Sequence, residues 1–107
     1  MINYISDYIV VHMTYYKMSE YTIKGYRKSK TAGKKYDCIL MRKSDKKIVY
    51  VPFGAIGYET YKDTTGLGLY EVHKDKMRRK NYIARHRGFI KPGYYSAGHF
   101  SMKKLWT

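Results

Sequence analysis

The stretch YDCILMRKSDKKIVYVPFG (36–54) decides the fold. It contains two runs rich in β-branched and aromatic residues, YDCILMRK (36–43) and KIVYVPFG (47–54), joined by the polar connection SDK. Such residues fit a pleated, half-buried surface, and Ser44 and Asp45 favour a tight turn, so the segment is predicted to be a β-hairpin. Successive side chains of a strand alternate between faces, which puts Ile48 and Tyr50 on one side and Val49, Val51 and Phe53 on the other. Pro52 has no N–H to give to a ladder, so it marks an edge strand or the strand's exit.

Upstream of the hairpin, DYIVVHMTYYKM (7–18) has strand composition, and a strand is predicted over about 8–17. Next, TIKGYRKSKTAGKK (22–35) mixes Lys, Arg and Gly without clear periodicity. It reads as a basic loop or arm ordered against a partner, with Lys24, Arg27, Lys28, Lys30, Lys34 and Lys35 as its contacts. Residues 1–35 are therefore taken as an N-terminal strand plus arm, and 36–107 as a small α+β domain.

Downstream, AIGYETYKDTTGLGLYEV (55–72) is a connector in which Gly66 and Gly68 permit a turn. The lone G-x-G in TGLGLY lacks the third glycine and the following helix start of a phosphate loop. The stretch HKDKMRRKNYIARHR (73–87) opens with Asp75, whose carboxylate can cap the free N–H groups of a first turn. Good helix formers follow without Gly or Pro, and Gly88 offers a stop, so a helix is predicted over 75–87. Its least charged stripe, Met77, Asn81 and Ala84 with Ile83, is the expected core contact. Arg78, Arg79, Lys80, Arg85 and Arg87 are left for an anionic partner. Pro92-Gly93 signals a turn, and a short helix over about 97–105 would present Phe100, Leu105 and Trp106. The fold class is α+β: a small antiparallel sheet including the 36–54 hairpin, one basic helix and a short C-terminal helix.

Composition narrows the function. The chain has 107 residues, enough for one domain with one modest core. Its net charge of +14 is extreme for that length and calls for an anionic partner: nucleic acid, an acidic protein surface or an anionic membrane leaflet. The aromatic content is unusual, with 14 Tyr against 3 Phe and 1 Trp. Tyrosines 15, 16, 58, 61, 70, 82, 94 and 95 interleave with Lys and Arg. That pattern suits a stacking surface for single-stranded nucleic acid and a protein–protein interface equally.

Cys38 is the only cysteine, so no internal disulfide forms and a reducing compartment is expected. No apolar run approaches the ~20 residues of a membrane span, and the start of the chain lacks the basic-then-apolar order of a signal peptide.

Catalytic chemistry finds little support. There are no paired acids, no nucleophile elbow and no P-loop. Tyr82 between arginines, with His73 and His86 near, is a combination that phosphoryl transfer on DNA can use, but that chemistry needs a preorganised pocket. His12, His73, His86 and His99 have no metal-ligand spacing. The expectation is a protein without enzymatic activity, cofactor or metal. The basic helix itself reads either as a solvated cationic face or as an anion-gripping element.

Taken together, FGAIGYETYKD, HKDKMRRKNYIARHR and YSAGHFSMKKLW carry a resemblance. The chain resembles a family of small basic proteins encoded by large double-stranded DNA viruses of eukaryotes. Those proteins share an F-G pair after a hairpin, an H-K-D run followed by basic residues and Y-I-x-R-H, and a closing A-G and L-W. The matching positions are Phe53 and Gly54; His73, Asp75, Arg78, Arg79, Tyr82, Ile83, Arg85 and His86; then Ala97, Gly98, Ser101, Leu105 and Trp106. The likeness covers 36–107.

The resemblance implies a self-contained fold in which Asp75 caps, Trp106 packs, and some arginines pair with Asp63, Glu71 or a helix C-terminus. It also implies a viral protein made in the host cytoplasm and carried in the virion. The leading expectation is a minor capsid or capsid-associated protein that bridges larger subunits through basic and tyrosine-rich surfaces facing acidic capsid proteins. The alternative is a sequence-independent binder of DNA or RNA phosphates that organises the viral genome.

Overall fold

In chain order the elements are β1 (Tyr16–Lys17), β2 (Tyr21–Lys28), β3 (Lys34–Arg42), β4 (Ile48–Ala55), α1 (Lys76–His86), a 3-10 turn (Arg87–Phe89), β5 (Tyr94–Tyr95), α2 (Ala97–Phe100) and a π-helical turn (Ser101–Trp106). The structure is a computed structural model and describes residues 14–107. The architecture is α+β, with a three-stranded antiparallel sheet in the order β2-β3-β4 and a two-stranded antiparallel sheet of β1 and β5.

The hairpin is the centre of the molecule. β3 and β4 pair from Lys34↔Ala55 to Met41↔Ile48. Arg42 and Asp45 close the turn through a two-pronged ion pair, and Asp45 also accepts the Lys47 N–H. The alternation follows the sequence pattern: Val51 and Phe53 are buried, whereas Ile48 and Tyr50 stand exposed on the opposite face. Pro52 lies in β4, an edge strand, where its missing N–H leaves no gap in the sheet.

The basic segment corrects the sequence reading. Residues 21–28 form strand β2, which runs antiparallel to β3 from Tyr21↔Arg42 to Lys28↔Tyr36. A bulge between Ile23 and Gly25 inserts Lys24 and breaks the two-residue period that would have betrayed the strand. Only the turn from Ser29 to Gly33 remains irregular, and the Ser29 hydroxyl organises it by accepting the Thr31 N–H and donating to Asp37. Of the strand expected over 8–17, Tyr16–Lys17 form β1, paired with Tyr94–Tyr95 next to the Pro92-Gly93 turn. Residues 8–13 lie outside the described residues.

One face of the sheet carries the core. Tyr36, Cys38 and Leu40 from β3 and Val51 and Phe53 from β4 meet Phe100, Met102, Leu105 and Trp106 from the chain's end. α2 begins where Ser96, fully buried, accepts the His99 N–H. The π-helical turn closes on itself through Thr107 N–H to the Met102 carbonyl. Met102, Leu105 and Trp106, three and four residues apart, share the face that is buried against the sheet.

Gly54, in the F-G pair, has φ 77° and lies so close to its neighbours that a Cβ would come within 3.0 Å of Leu105 Cδ1. The left-handed backbone and the close approach both favour glycine there. Tyr36 anchors the long connector: its hydroxyl donates to Asp63 and accepts the Leu69 N–H. Gly66 and Gly68 take positive φ in the turn between these two contacts, as a turn requires.

Candidate functional site

α1 forms because Asp75 caps it. The Asp75 carboxylate accepts the Met77 and Arg78 N–H groups, while the ring nitrogen Nδ1 of His73 accepts the Asp75 N–H. The cap holds the Asp75 carboxyl below its usual range, chiefly through the Arg78 and Met77 N–H groups. The α-helix ends at His86, two residues before Gly88, and the chain tightens into the 3-10 turn Arg87–Phe89.

Of the face expected to meet the core, only Ile83 does so. Arg79, Tyr82, Ile83 and His86 are the only partly buried residues of α1. Tyr82 is stacked between His86 and Trp106, with ring centroids 4.0 Å away on each side. Met77, expected in the core, is 64% exposed, and Asn81 and Ala84 are exposed beside it. Aromatic stacking on Trp106 outcompetes a thin aliphatic stripe, because large rings bury more apolar area.

The cations expected to bind a partner divide into two groups. Arg79 donates to the Trp106 carbonyl and lies over the Tyr61 ring, so it joins α1 to the chain's end. Lys35 is buried at 2% exposure, donates to the Tyr58 carbonyl and sits over Tyr70. Burial lowers its pKa, opposed by the carboxylates of Asp63 and Glu59. Arg27 pairs with buried Asp37 at 3.0 Å and stacks on Tyr50. These three are structural. Arg78, Lys80, Arg85, Arg87, Lys24, Lys28, Lys30 and Lys34 are exposed. Lys76, also exposed, completes the basic face of α1; its spacing from Lys80 was the signal for it.

The acids are largely consumed within the fold. Asp37 and Asp45 hold Arg27 and Arg42, Asp63 holds Tyr36 and Thr65, and Asp75 caps α1. Glu59 approaches Arg78 at 3.7 Å, a loose exposed contact of small energetic weight. The pairings implied for Asp63 and Glu71 with arginines are replaced by those of Asp37, Asp45 and Glu59. The positive field over α1 is therefore little neutralised from within.

Beside α1 lies a cleft of about 540 Å³. One wall is Arg78, Tyr82, Arg85 and His86; the other is Lys34, the end of β4 and the segment around Glu59. Burial raises the Tyr82 phenol above its ordinary value, although its hydrogen bond with Ser101 and the charge of Arg85 pull it down. A raised phenol is a weak nucleophile at neutral pH. Cys38 lies deep in the core, and burial pushes its thiol up to about 12. His73 packs on Trp106 at 5.2 Å and His99 on Phe100 at 5.2 Å, and burial lowers both of their pKa values. Among the described residues no group of three or more His, Cys, Asp or Glu is placed to hold a metal. His12 lies outside them.

The signature residues thus serve the fold. Phe53 is core, Gly54 permits close packing, His73 and Asp75 form the cap, and Tyr82, His86 and Trp106 form one aromatic stack. No helix of the described residues is long and apolar enough to cross a membrane. No protein-family model, curated protein or solved structure matches the chain.

Proposed function

We propose that this chain is a non-enzymatic structural protein of a viral particle that binds a polyanion, and that its polyanion is the phosphate backbone of nucleic acid. The observation that carries this reading is the exposed basic face of α1 and the turn after it, where Lys76, Lys80, Arg85 and Arg87 have no acidic partner among the described residues. A net charge of +14 with the acids engaged elsewhere favours long-range capture of a polyanion. The viral setting, in the virion and in the host cytoplasm during assembly, rests on the resemblance of residues 36–107 described above.

A titration of the purified protein with nucleic acid at several salt concentrations tests the reading. Six phosphate contacts would give a log–log slope of about −5. Weak binding with a slope near zero refutes it.

A second reading, a minor capsid protein bridging larger subunits, is favoured by a different observation. The connector exposes Ile56, Tyr58, Leu67 and Leu69, with Tyr58 at 74%. Exposed aromatic and aliphatic side chains beside cations suit a protein interface. Recovery of the protein in the capsid shell fraction of disrupted virions, and not with the genome, would select this reading over the first.

A further inference from the structure

The burial of α1 has a consequence for which nucleic acid it fits. With about 100° per residue, the cations form two rows some 170° apart around the helix. Lys76, Lys80 and Arg87 make one row, and Arg78 and Arg85 the other. Met77, Asn81 and Ala84 lie between them, directly opposite the core-facing Arg79, Tyr82, Ile83 and His86. The solvent side of the helix is thus a narrow uncharged crest with a cationic row on either flank, and the Arg78–Arg85 flank, with Asn81, borders the cleft whose far wall is Lys34, the end of β4 and the segment around Glu59. A flat acidic surface gains nothing from an uncharged centre line. A groove bounded by two phosphate backbones does.

We propose that α1 seats in the major groove of B-form DNA, with its two cationic rows on the flanking backbones and its crest toward the base edges. The proposal rests on the nucleic-acid reading above. An α-helix with side chains is about 10–12 Å across, and the major groove of B-DNA is about 12 Å wide. Eleven residues give a rod of about 16 Å, long enough for each row to meet more than one phosphate. Ala84 and Met77 are small or slender enough to let the helix axis approach, and Asn81 is the one crest residue able to hydrogen-bond a base edge. Duplex RNA has a deep, narrow major groove that does not admit the helix. Single strands have no paired backbones for the two rows.

The full chain is titrated by fluorescence anisotropy with duplex DNA, duplex RNA of the same sequence and poly(dT), and the DNA complex is probed with dimethyl sulfate, which methylates guanine N7 in the major groove. The expected result is tighter binding to duplex DNA than to either other probe, with N7 protected. Ala84→Trp, at an exposed position, is expected to weaken duplex DNA binding about tenfold or more while changing poly(dT) binding little. N7 reactivity equal to that of free DNA overturns the proposal even if Ala84→Trp does not fold, and leaves the nucleic-acid reading standing when the salt slope is steep. Equal affinity for all three probes, or for duplex DNA with and without Ala84→Trp, also overturns it. Binding to polyglutamate but to none of the nucleic acids overturns both readings.

Discussion

The Tyr82 ring lies flat on the Trp106 indole, with centroids 4.0 Å apart and planes 3° from parallel. The two residues come from α1 and from the final turn of the chain, and Arg79 adds a bond from α1 to the Trp106 carbonyl. This contact attaches the basic helix to a sheet with which it shares no strand. Trp106→Ala is expected to lower stability by about 3–5 kcal/mol in urea unfolding, as for other buried large aromatics. Tyr82→Phe keeps the stack and removes only the hydroxyl, so its effect should stay within about 1.5 kcal/mol.

Gly54 and Gly57 both have positive φ, but only Gly54 is crowded: a Cβ placed there would lie 3.0 Å from Leu105 and 3.3 Å from Lys35. Alanine at either site carries backbone strain of about 1–3 kcal/mol. Gly54→Ala adds a clash to that strain and is expected to be the more destabilising of the two in thermal melts.

Lys35 and Lys80 carry the same charge in opposite settings. Lys35 is buried and bonded to the Tyr58 carbonyl; Lys80 is exposed on α1. Lys35→Met is expected to leave the salt dependence of nucleic-acid binding unchanged while lowering stability by about 1–3 kcal/mol, since the donor to the Tyr58 carbonyl is lost. Combined replacement of Lys80, Arg85 and Arg87 by alanine should flatten the log–log salt slope by up to about 0.9 for each phosphate that is no longer neutralised. A larger effect from Lys35→Met than from the triple variant would reverse the assignment of these cations.

Asp63 links pH to stability. Burial raises its pKa, but hydrogen bonds from Thr65 and Tyr36 and from the Thr65 and Gly68 N–H groups outweigh that, so its carboxyl sits below the ordinary value. A folded pKa below the unfolded one gives stability that is present above the unfolded value, about 3.9, and is lost as pH falls through the folded value. Stability is therefore expected to drop below about pH 4, and Asp63→Asn should shrink that acid-dependent drop in melts recorded across pH.

Cys38 is fully buried beneath the sheet, and burial pushes its thiol up to about 12. Reaction with a thiol reagent at neutral pH is expected to be slow in the native protein and fast in urea. Fast native labelling would mean that the core opens readily.

The hairpin and the capped helix are legible in the sequence because local chemistry specifies each. Alternating Val49, Val51 and Phe53 read as one strand face, and Asp75 ahead of good helix formers reads as a cap. Strand β2 is hidden. Its bulge at Lys24 shifts the alternation, and its lysines suit an exposed edge as well as a loop. The buried face of α1 escapes a sequence reading for a related reason. Met77, Asn81 and Ala84 are the least charged stripe, but charge does not rank packing partners, and it is Tyr82 that meets the large Trp106 ring.

The sequence by itself determined the α+β class, the hairpin with its turn, the start of α1 and the excess of positive charge, since propensity, capping and composition act within a few residues. Tertiary structure alone decided which cations are free. Arg27, Lys35 and Arg79 are set apart from the exposed Lys24, Lys34 and Lys80 by what the fold brings to them: Asp37, the Tyr58 carbonyl and the Trp106 carbonyl lie 10, 23 and 27 residues away. Burial and hydrogen bonding across such separations depend on how the sheet and the chain's end close together, and no local pattern encodes that.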